Sequence, residues 1–484
     1  MKREFLINIV FLILINFLVK PVYIFFIESR VQDTLGPNEY GLYFGVFNFA
    51  MMLQILADLG IQNFNSTAVS RDHSLLRLYL PKILGLKAGL SLIYLIAGLT
   101  GALLIGYSSG SIIIFIWVSI NFVLMSFILY LRTNISATGH YRLDSLISVV
   151  DKILLIMILG WMLFVRNSGS SFSLYDFILA QTIAYSLVFV MVLGINFSLA
   201  GMIRISFDLT LSKDIIQKSL PFSLVIILMS LYNRMDGFML ERMLDDKAYE
   251  AGIYAASFRI YDALNMVGYL FAVLLLPMFS SLMHSKKELD KLIRTGHNLI
   301  LSASVALIAG IGLYANEIMS MMYPNHMENS YVNLMYLLLA SFFATSLSYH
   351  YGTLLTAAKA LRSMNRILFV GVGINLVLNT IFIPRFGAMG AAITTIGTQF
   401  FVLGGQYLLS IRIFDIKFNF RLFFRRTGFI LSVGILGLVF LKFGGKSEWL
   451  VELIIFELLV FLVMLGFGLM KWKDFRREQK LLNR

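Results

Sequence analysis

The sequence has no cysteine among its 484 residues, which excludes disulfide bonds, thiolate zinc sites and iron–sulfur clusters. Charged residues are also scarce: they make up 14% of the chain, whereas soluble domains usually contain about 25%. There is no Gly-x-x-x-x-Gly-Lys-Ser/Thr loop, so the chain is not expected to hydrolyse ATP. The six histidines are scattered, mostly in expected loops or span ends, with no His-Glu-x-x-His pair and no metal-ligand spacing. The sequence therefore offers no motif for ATP-dependent or zinc-dependent catalysis.

Long apolar runs are what the sequence has in abundance. The chain is 58% hydrophobic, with a mean hydropathy of +0.81. A membrane-spanning helix needs about 20 apolar residues, because the hydrocarbon core is about 30 Å thick. We therefore predict an all-α, polytopic membrane protein with about 14 transmembrane helices. The predicted spans are residues 5–27, 39–60, 80–106, 111–131, 146–165, 175–195, 219–241, 251–280, 297–318, 331–354, 366–384, 388–411, 428–443 and 450–470.

The distribution of positive charge predicts how the chain is oriented. The net charge is +13, and a cytoplasmic N-terminus would place about four times as many Lys and Arg in inner segments as in outer loops. Both termini are therefore expected in the cytoplasm, with the basic tail from Lys471 to Arg484 against anionic headgroups. Membrane lipids account for this charge, and no nucleic-acid partner is expected. The first span is too long for a cleaved signal peptide, and no small-residue cleavage site follows it.

The longest central connection, at about residues 196–218, separates six spans from eight. We predict an N-terminal lobe over 1–200, a cytoplasmic linker over 201–218, a C-terminal lobe over 219–411, and two further spans with a basic tail over 412–484. An internal echo supports a duplicated six-helix unit. Gly41-Leu42-Tyr43 with Phe47 opens the second span, and Gly252-Ile253-Tyr254 with Phe258 opens the eighth. Chance matching is the alternative, because the pattern is loose.

Several short motifs occur in a specific order along the whole chain. They are Lys20-Pro21, Leu35-Gly36-Pro37-Asn38-Glu39-Tyr40-Gly41, Asp58-Leu59-Gly60 closing the second span, Leu220-Pro221, Gly252-Ile253-Tyr254-Ala255-Ala256 through Arg259, and Phe386-Gly387-Ala388-Met389-Gly390-Ala391-Ala392. In these motifs, and in its length and span number, the chain resembles the polysaccharide flippases of the multidrug/oligosaccharidyl-lipid/polysaccharide exporter superfamily.

The resemblance implies a Wzx-type flippase that moves undecaprenyl-diphosphate-linked sugar repeat units across the bacterial inner membrane. It further implies two six-helix lobes around a central cavity, two extra C-terminal helices, a role in O-antigen or other surface polysaccharide synthesis, and assembly partners such as a polysaccharide polymerase. Such a protein is not an enzyme. A polymerase or ligase would need a large outer loop for catalysis, and the outer loops expected here are short. A lipid II flippase and a multidrug exporter of the same superfamily remain alternatives.

Charged residues within the spans are the first candidates for a substrate site. Burying a charge in hydrocarbon costs at least about 2.5–3.5 kcal/mol, so such residues usually face a cavity or a partner. The candidates for binding a diphosphate-linked substrate are Lys20, Arg234, Arg259 and Asp262. The alternatives are that Arg259 and Asp262 neutralise each other and that Lys20 extends to the headgroups. Lys87, Asp151 and Lys152 are expected to face loops or headgroups at inner span ends.

Polar residues of the seventh, eleventh and twelfth spans are candidates for binding a coupling ion. Asn375 and Asn379 share one helix face, and Thr394, Thr395 and Thr398 follow in the next span. With Asp236 they would offer oxygen ligands for Na⁺, at a place where the resemblance implies a sodium site. The predicted ion-binding residues are Asp236, Asn375, Asn379, Thr394 and Thr398. Proton coupling through Asp236 or Asp262 is the alternative, as is simple helix–helix hydrogen bonding. No cofactor other than Na⁺ or H⁺ is expected.

Overall fold

The computed structural model describes residue 11 and residues 14–165, 172–201, 206–244, 247–444 and 448–470. Within these ranges the secondary structure is helical, and no β-strand occurs. The start of the first predicted span, part of the predicted linker and the basic tail over 471–484 lie outside the described residues.

Fourteen helices carry the described fold, and twelve of them are long and apolar enough to cross a membrane. The helices of the first half are α1 (Leu14–Ala57), α2 (Ile61–Arg71), α3 (Leu75–Leu104), α4 (Ser109–Ala137), α5 (Tyr141–Val165), α6 (Leu174–Ala200) and α7 (Leu209–Met243). Those of the second half are α8 (Lys247–Leu282), α9 (Lys286–Leu313), α10 (Ala315–Met322), α11 (Asn329–Ala357), α12 (Leu361–Phe414), α13 (Phe420–Phe443) and α14 (Trp449–Gly466).

Two of the twelve spanning helices are each long enough for two spans. Helix α1 has 44 residues and α12 has 54, whereas one crossing takes about 20. Each helix is interrupted by a glycine with non-helical dihedrals, Gly36 at φ 74° and ψ 169° and Gly387 at φ 54° and ψ −133°. Both glycines lie in connections that the sequence predicts between spans, Gly36 in the loop over 28–38 and Gly387 in the turn over 385–387. Counting each arm separately gives fourteen spans, as predicted.

Several helices begin at residues whose side chains cap them. Ser173 and Asp176 form a reciprocal capping box at the start of α6. The Asp208 carboxylate accepts a hydrogen bond from the Leu211 amide at the start of α7, and Asn419 caps α13 in the same way. These polar caps satisfy amide groups that the first helical turn leaves unpaired.

The second span is broken partway along its length. After Ala57 the backbone takes left-handed φ values at Leu59 and Gly60, and the helix resumes as α2 at Ile61. The sequence predicts that Asp58-Leu59-Gly60 ends this span. The structure instead gives a discontinuous helix, whose exposed backbone groups need partners from neighbouring helices.

Packing divides the chain into two compact units, Met1–Gly252 and Ile253–Arg484. In the first unit, α7 lies against the second arm of α1, and Gly237 approaches the side chains of Asn48 and Phe44. Helix α7 is therefore packed with the first unit, although the sequence assigns it to the lobe over 219–411. The lobes are predicted from an internal sequence repeat, whereas the two units are defined by packing. The boundaries of the lobes stay a prediction. The second unit has an apolar core that includes Phe279, Phe429 and Phe456.

Candidate functional site

A cluster of charged and aromatic side chains surrounds Lys20 in the first unit. Lys20 is half-buried, and the charges of Asp151, Lys152 and Arg132 act on it. Asp151 and Lys152 lie 3.3 Å apart. The prediction that these two residues face a loop or headgroups is wrong: about four fifths of each side chain is buried. Acidic groups balance part of this charge, because Arg132 contacts Asp144 at 2.8 Å and the charge of Glu28 acts on Lys152. The ammonium groups of Lys20 and Lys152 are the groups of this cluster that can attract a phosphate.

Aromatic rings hold the second cation of this cluster in place. The Lys152 ammonium lies 4.7 Å from the ring centroid of Tyr23 and 5.7 Å from that of Tyr185. Contacts of this kind stabilise a partly desolvated cation. Lys152 lies on α5, whereas Tyr23 lies on α1 and Tyr185 on α6. The Lys152 side chain therefore points towards these neighbouring helices of the unit. No local sequence pattern indicates this orientation, which depends on contacts between distant spans.

The two copies of the sequence echo make equivalent hydrogen bonds within their own units. Tyr43 of the second span pairs with Gln181 of the sixth, with the amide nitrogen of Gln181 donating at 3.0 Å. Tyr254 of the eighth span lies 3.3 Å from the Thr395 hydroxyl of the twelfth. Spans 2 and 6 of one unit correspond to spans 8 and 12 of a repeated unit. This correspondence agrees with the predicted duplication, which stays a prediction.

The remaining predicted substrate residues lie on α7 and α8. Arg259 is buried, with 8% of its surface exposed, and Asp262 is half-buried. Nearby on α8, Tyr261 shares a hydrogen bond with Thr345 at 2.9 Å and accepts one from Gln399. Arg234 on α7 is half-buried. A guanidinium group can bind a phosphate through two parallel hydrogen bonds.

Four of the five predicted ion-binding residues come together in α12. Its two arms pack closely: Gly371 approaches Val402 and Thr398, and Gly397 approaches Leu378. This register places Asn375 opposite Thr398 and Asn379 opposite Thr394. All four side chains are buried, and the Asn379 amide donates to Asn375 at 3.1 Å.

The hydroxyls of this group are available as ligands. Within the described residues, the Oγ1 atoms of Thr394 and Thr398 are buried and have no hydrogen-bond partner. Buried hydroxyl and amide oxygens of this kind suit a hard cation such as Na⁺. The fifth predicted residue, Asp236, is 1% exposed and belongs to the first unit, so its participation stays a prediction. In the described part of the chain, no group of three or more His, Asp or Glu side chains is placed to hold a metal ion.

An ion pair that the sequence did not indicate lies at the break in the second span. Lys87 has no exposed surface, and its ammonium contacts Asp58 at 2.7 Å, Ser126 at 2.7 Å and the carbonyl of Ala57 at 3.1 Å. The prediction that Lys87 extends to headgroups or a loop is therefore wrong. Its charge instead satisfies the carbonyl that the helix break leaves without an intrahelical partner.

A sequence-family comparison identifies the type of protein that carries these clusters. The family described as polysaccharide biosynthesis protein matches residues 5–283, more than half of the chain. The chain belongs to that family. No curated protein sequence matches it significantly.

Solved structures show which fold this chain shares. The lipid II flippase MurJ in its inward closed conformation matches at a TM-score of 0.65 and 15% identity, over 96% of this chain and 99% of that one. An outward-facing multidrug resistance MATE family transporter of the MOP superfamily matches at 0.57 and 14%, over 84% and 95%. A MOP superfamily transporter from Pyrococcus furiosus matches at 0.53 and 13%, over 84% and 95%.

These comparisons confirm the resemblance to the exporter superfamily and the predicted fold. The protein is an all-helical, multi-pass membrane protein of the polysaccharide biosynthesis family, and it has the fold of flippases and multidrug transporters. At 13–15% identity the structural matches establish the fold alone. The substrate and the coupling ion are proposed from the side chains of the clusters described above.

Proposed function

We propose that the protein is a flippase that moves undecaprenyl-diphosphate-linked oligosaccharides across the bacterial inner membrane. The substrate would serve O-antigen or another surface polysaccharide. Two findings support this function: the chain belongs to a polysaccharide biosynthesis family, and it has the fold of a lipid flippase. The proposed mechanism is alternating access, in which the substrate is loaded on the cytoplasmic side and released on the other.

The observation that carries the proposal is the presence of buried or partly buried cations in both compact units. The first unit holds Lys152 against the rings of Tyr23 and Tyr185, with its charge acting on Lys20. The second unit holds Arg259. A diphosphate carries negative charge that must be compensated when it leaves water, and ammonium and guanidinium groups supply that compensation. These cations would repel cationic drugs, so Lys20, Lys152 and Arg259 favour an anionic substrate over multidrug export.

Lipid II is the second candidate substrate, because it also carries a diphosphate on a lipid. The match to the lipid II flippase MurJ spans nearly the whole of both chains, and this supports the candidate at the level of fold. The family match to polysaccharide biosynthesis favours the oligosaccharide. Transport, rather than catalysis, is proposed for either lipid, and a polysaccharide polymerase is the expected partner in assembly.

A coupling ion is proposed to bind the paired arms of α12. Asn375, Asn379, Thr394 and Thr398 would supply neutral oxygens, and Asp236 would supply the negative charge that a Na⁺ site needs. Protonation of Asp236 is the alternative form of coupling. Either ion would link its own gradient to the direction of substrate movement.

Depletion of the protein in its native cell tests the proposed substrate. We expect undecaprenyl-linked repeat units to accumulate and surface polysaccharide to fall, while the cell wall stays intact. Carrier-linked glycans are extracted and quantified, together with surface polysaccharide and peptidoglycan precursors. Accumulation of lipid II with loss of the wall would assign the protein to lipid II instead. Unchanged levels of both lipids would reject the flippase function.

A further inference from the structure

A group of basic and aromatic side chains lies at the end of the second unit where α9 and α13 begin. The Arg426 Nε of α13 donates to Asn298 of α9 at 2.9 Å. Asn298 in turn donates to the carbonyl of Leu469, just after α14. Arg294 lies one helical turn before Asn298 on the same face of α9, and its charge acts on Arg426. Two guanidinium groups therefore share one site.

The surroundings of these two arginines add further hydrogen-bonding and basic groups. The Tyr351 hydroxyl lies 2.8 Å from Nδ1 of His297, and the charge of Arg426 acts on both residues. The rings of Tyr351 and Tyr407 are 5.2 Å apart. His350 packs beside His297, with ring centroids 6.0 Å apart.

Ion pairs to these two arginines are absent from the described part of the chain. Among the residues that the structure describes, no carboxylate lies within ion-pair distance of Arg294 or Arg426. Two neighbouring cations repel each other, and an anion that contacts both removes this repulsion. The Nε atom of Arg426 is bonded to Asn298, whereas its terminal nitrogens make no hydrogen bond to the described residues. These terminal nitrogens are the atoms with which arginine binds a phosphate bidentately.

The position of the site suits a lipid headgroup. Arg426 lies six residues after the start of α13, about 9 Å along the helix axis, and Arg294 lies about 12 Å from the start of α9. Beyond Arg426, α13 exposes a continuous apolar surface that includes Leu431, Ile435 and Leu438. An acyl chain could lie along this surface while the phosphate reaches the arginines.

We propose that Arg294 and Arg426, with Tyr351 and His297 beside them, form a binding site for a phosphate-bearing anion, supplied by an anionic phospholipid or by free phosphate. The site is separate from the clusters assigned to the transported substrate. An occupied site would tie α9 to α13 through a shared anion, so the attachment of the last two helices would depend on that ligand.

Lipid titration of the purified full-length protein tests this site. The thermal midpoint is measured in nanodiscs of phosphatidylcholine that contain increasing fractions of phosphatidylglycerol, and retained lipid is counted by native mass spectrometry. We expect a saturable rise in the midpoint and retained phosphatidylglycerol. Arg294→Gln should weaken the lipid dependence about tenfold, since it removes a charged hydrogen-bond donor. Arg294 makes no hydrogen bond to other described residues, so this variant should fold even where Arg426→Gln does not.

Two comparisons decide the source of the anion and the validity of the site. Arg366→Gln is the matched control, because Arg366 is an exposed arginine near the start of α12. Stabilisation by inorganic phosphate in pure phosphatidylcholine, lost in Arg294→Gln, would assign the site to a free anion rather than a lipid. The same lipid response in the wild type and Arg294→Gln, or an equal loss in Arg366→Gln, would overturn the proposal.

Discussion

Arg259 is the residue on which the substrate assignment depends most directly in the second unit. Its buried guanidinium is costly to maintain without a role. We expect Arg259→Ala to abolish transport while membrane levels stay normal, and Arg259→Lys to restore part of it through charge alone. Complementation of the depleted strain, with quantification of surface polysaccharide, measures the effect.

Arg385 provides the matched control for this variant. It is an exposed arginine beside the turn of α12, and Arg385→Ala should transport normally. Full transport by Arg259→Ala would remove Arg259 from the mechanism. Loss of transport together with loss of the protein from the membrane would assign it a structural role.

The pair of Lys87 and Asp58 makes a prediction about stability. Removing one partner of a buried ion pair typically costs about 3–5 kcal/mol, because the other charge is left without compensation. We expect Lys87→Met to destabilise the detergent-solubilised protein by this amount, as measured by denaturant unfolding. Lys87→Met combined with Asp58→Asn should recover part of the loss. A double variant as unstable as the sum of its single variants would show that the two charges do not act together.

At the residue scale, sequence and structure agree where the signal is local. The i, i+4 spacing of Asn375 and Asn379 predicts their shared face correctly. The burial of Lys87 could not be predicted, because its partners are Asp58 and Ser126, which lie on other helices. Near an inner span end, a lysine that extends to water and one that is paired inside look the same in sequence.

At the scale of helices, the two interrupted spans depend on glycine. Gly36 and Gly387 have positive φ with ψ values outside the left-handed helical region, a conformation that costs other residues about 1–3 kcal/mol. We expect Gly36→Ala and Gly387→Ala each to lower the free energy of unfolding by about this amount. Gly434→Ala is the control: Gly434 is helical with open space around it, so alanine there should stabilise by about 1 kcal/mol. Equal effects at all three positions would contradict the role of the turns.

The start of α7 makes a prediction about pH. The hydrogen bond from the Leu211 amide and the bond from Lys82 hold the pKa of Asp208 below its ordinary value of 3.8. A lowered pKa in the folded state means that the carboxylate stabilises the fold above pH 3.8, and that this contribution disappears as pH falls through the folded value. Asp208→Asn should therefore lower the thermal midpoint at pH 7, with a smaller difference from wild type at pH 3.

Asp214 on the same helix serves as the control for Asp208. Its carboxylate contacts Lys218 at 2.7 Å on the exposed surface, and pairs of this kind contribute little. Asp214→Asn should behave like the wild type at both pH values. A constant difference between Asp208→Asn and wild type across the range would mean that the charge of Asp208 is not what stabilises the start of α7.

Helix placement is the part of the fold that the sequence predicts best. Span length and hydropathy are local properties, and each predicted span overlaps a helix of the described chain. The break at Asp58-Leu59-Gly60 was predicted as an end rather than an interruption. The residues that follow, Ile61–Arg71, are less apolar than a typical span. Their helix is supported by packing against α4 and α7, which hydropathy does not report.

At the scale of the whole molecule, the proposed transport needs a driving ion, and the α12 site makes a prediction about which one. The Thr394 hydroxyl is buried without a protein partner, so Thr394→Val keeps the shape of the side chain and removes one proposed ligand. Loss of even an outer-shell partner costs a metal site about 10–100-fold in affinity. We therefore expect Thr394→Val to raise the Na⁺ concentration for half-maximal transport at least about tenfold. Asp236→Asn should remove the Na⁺ dependence altogether. Transport of a labelled lipid-linked oligosaccharide into proteoliposomes measures both.

Proton coupling gives a different pattern in the same assay. If Asp236 carries a proton, Asp236→Asn removes the pH dependence of transport, whereas Thr394→Val leaves both the Na⁺ and the pH responses as in the wild type. Thr380→Val is the control, because Thr380 lies on the exposed side of the first arm of α12 and donates to the carbonyl of Leu376. Unchanged Na⁺ and pH responses in Asp236→Asn would discard the proposed ion site. The paired polar residues of α12 would then act only in joining its two arms, as buried amides and hydroxyls do in other membrane helices.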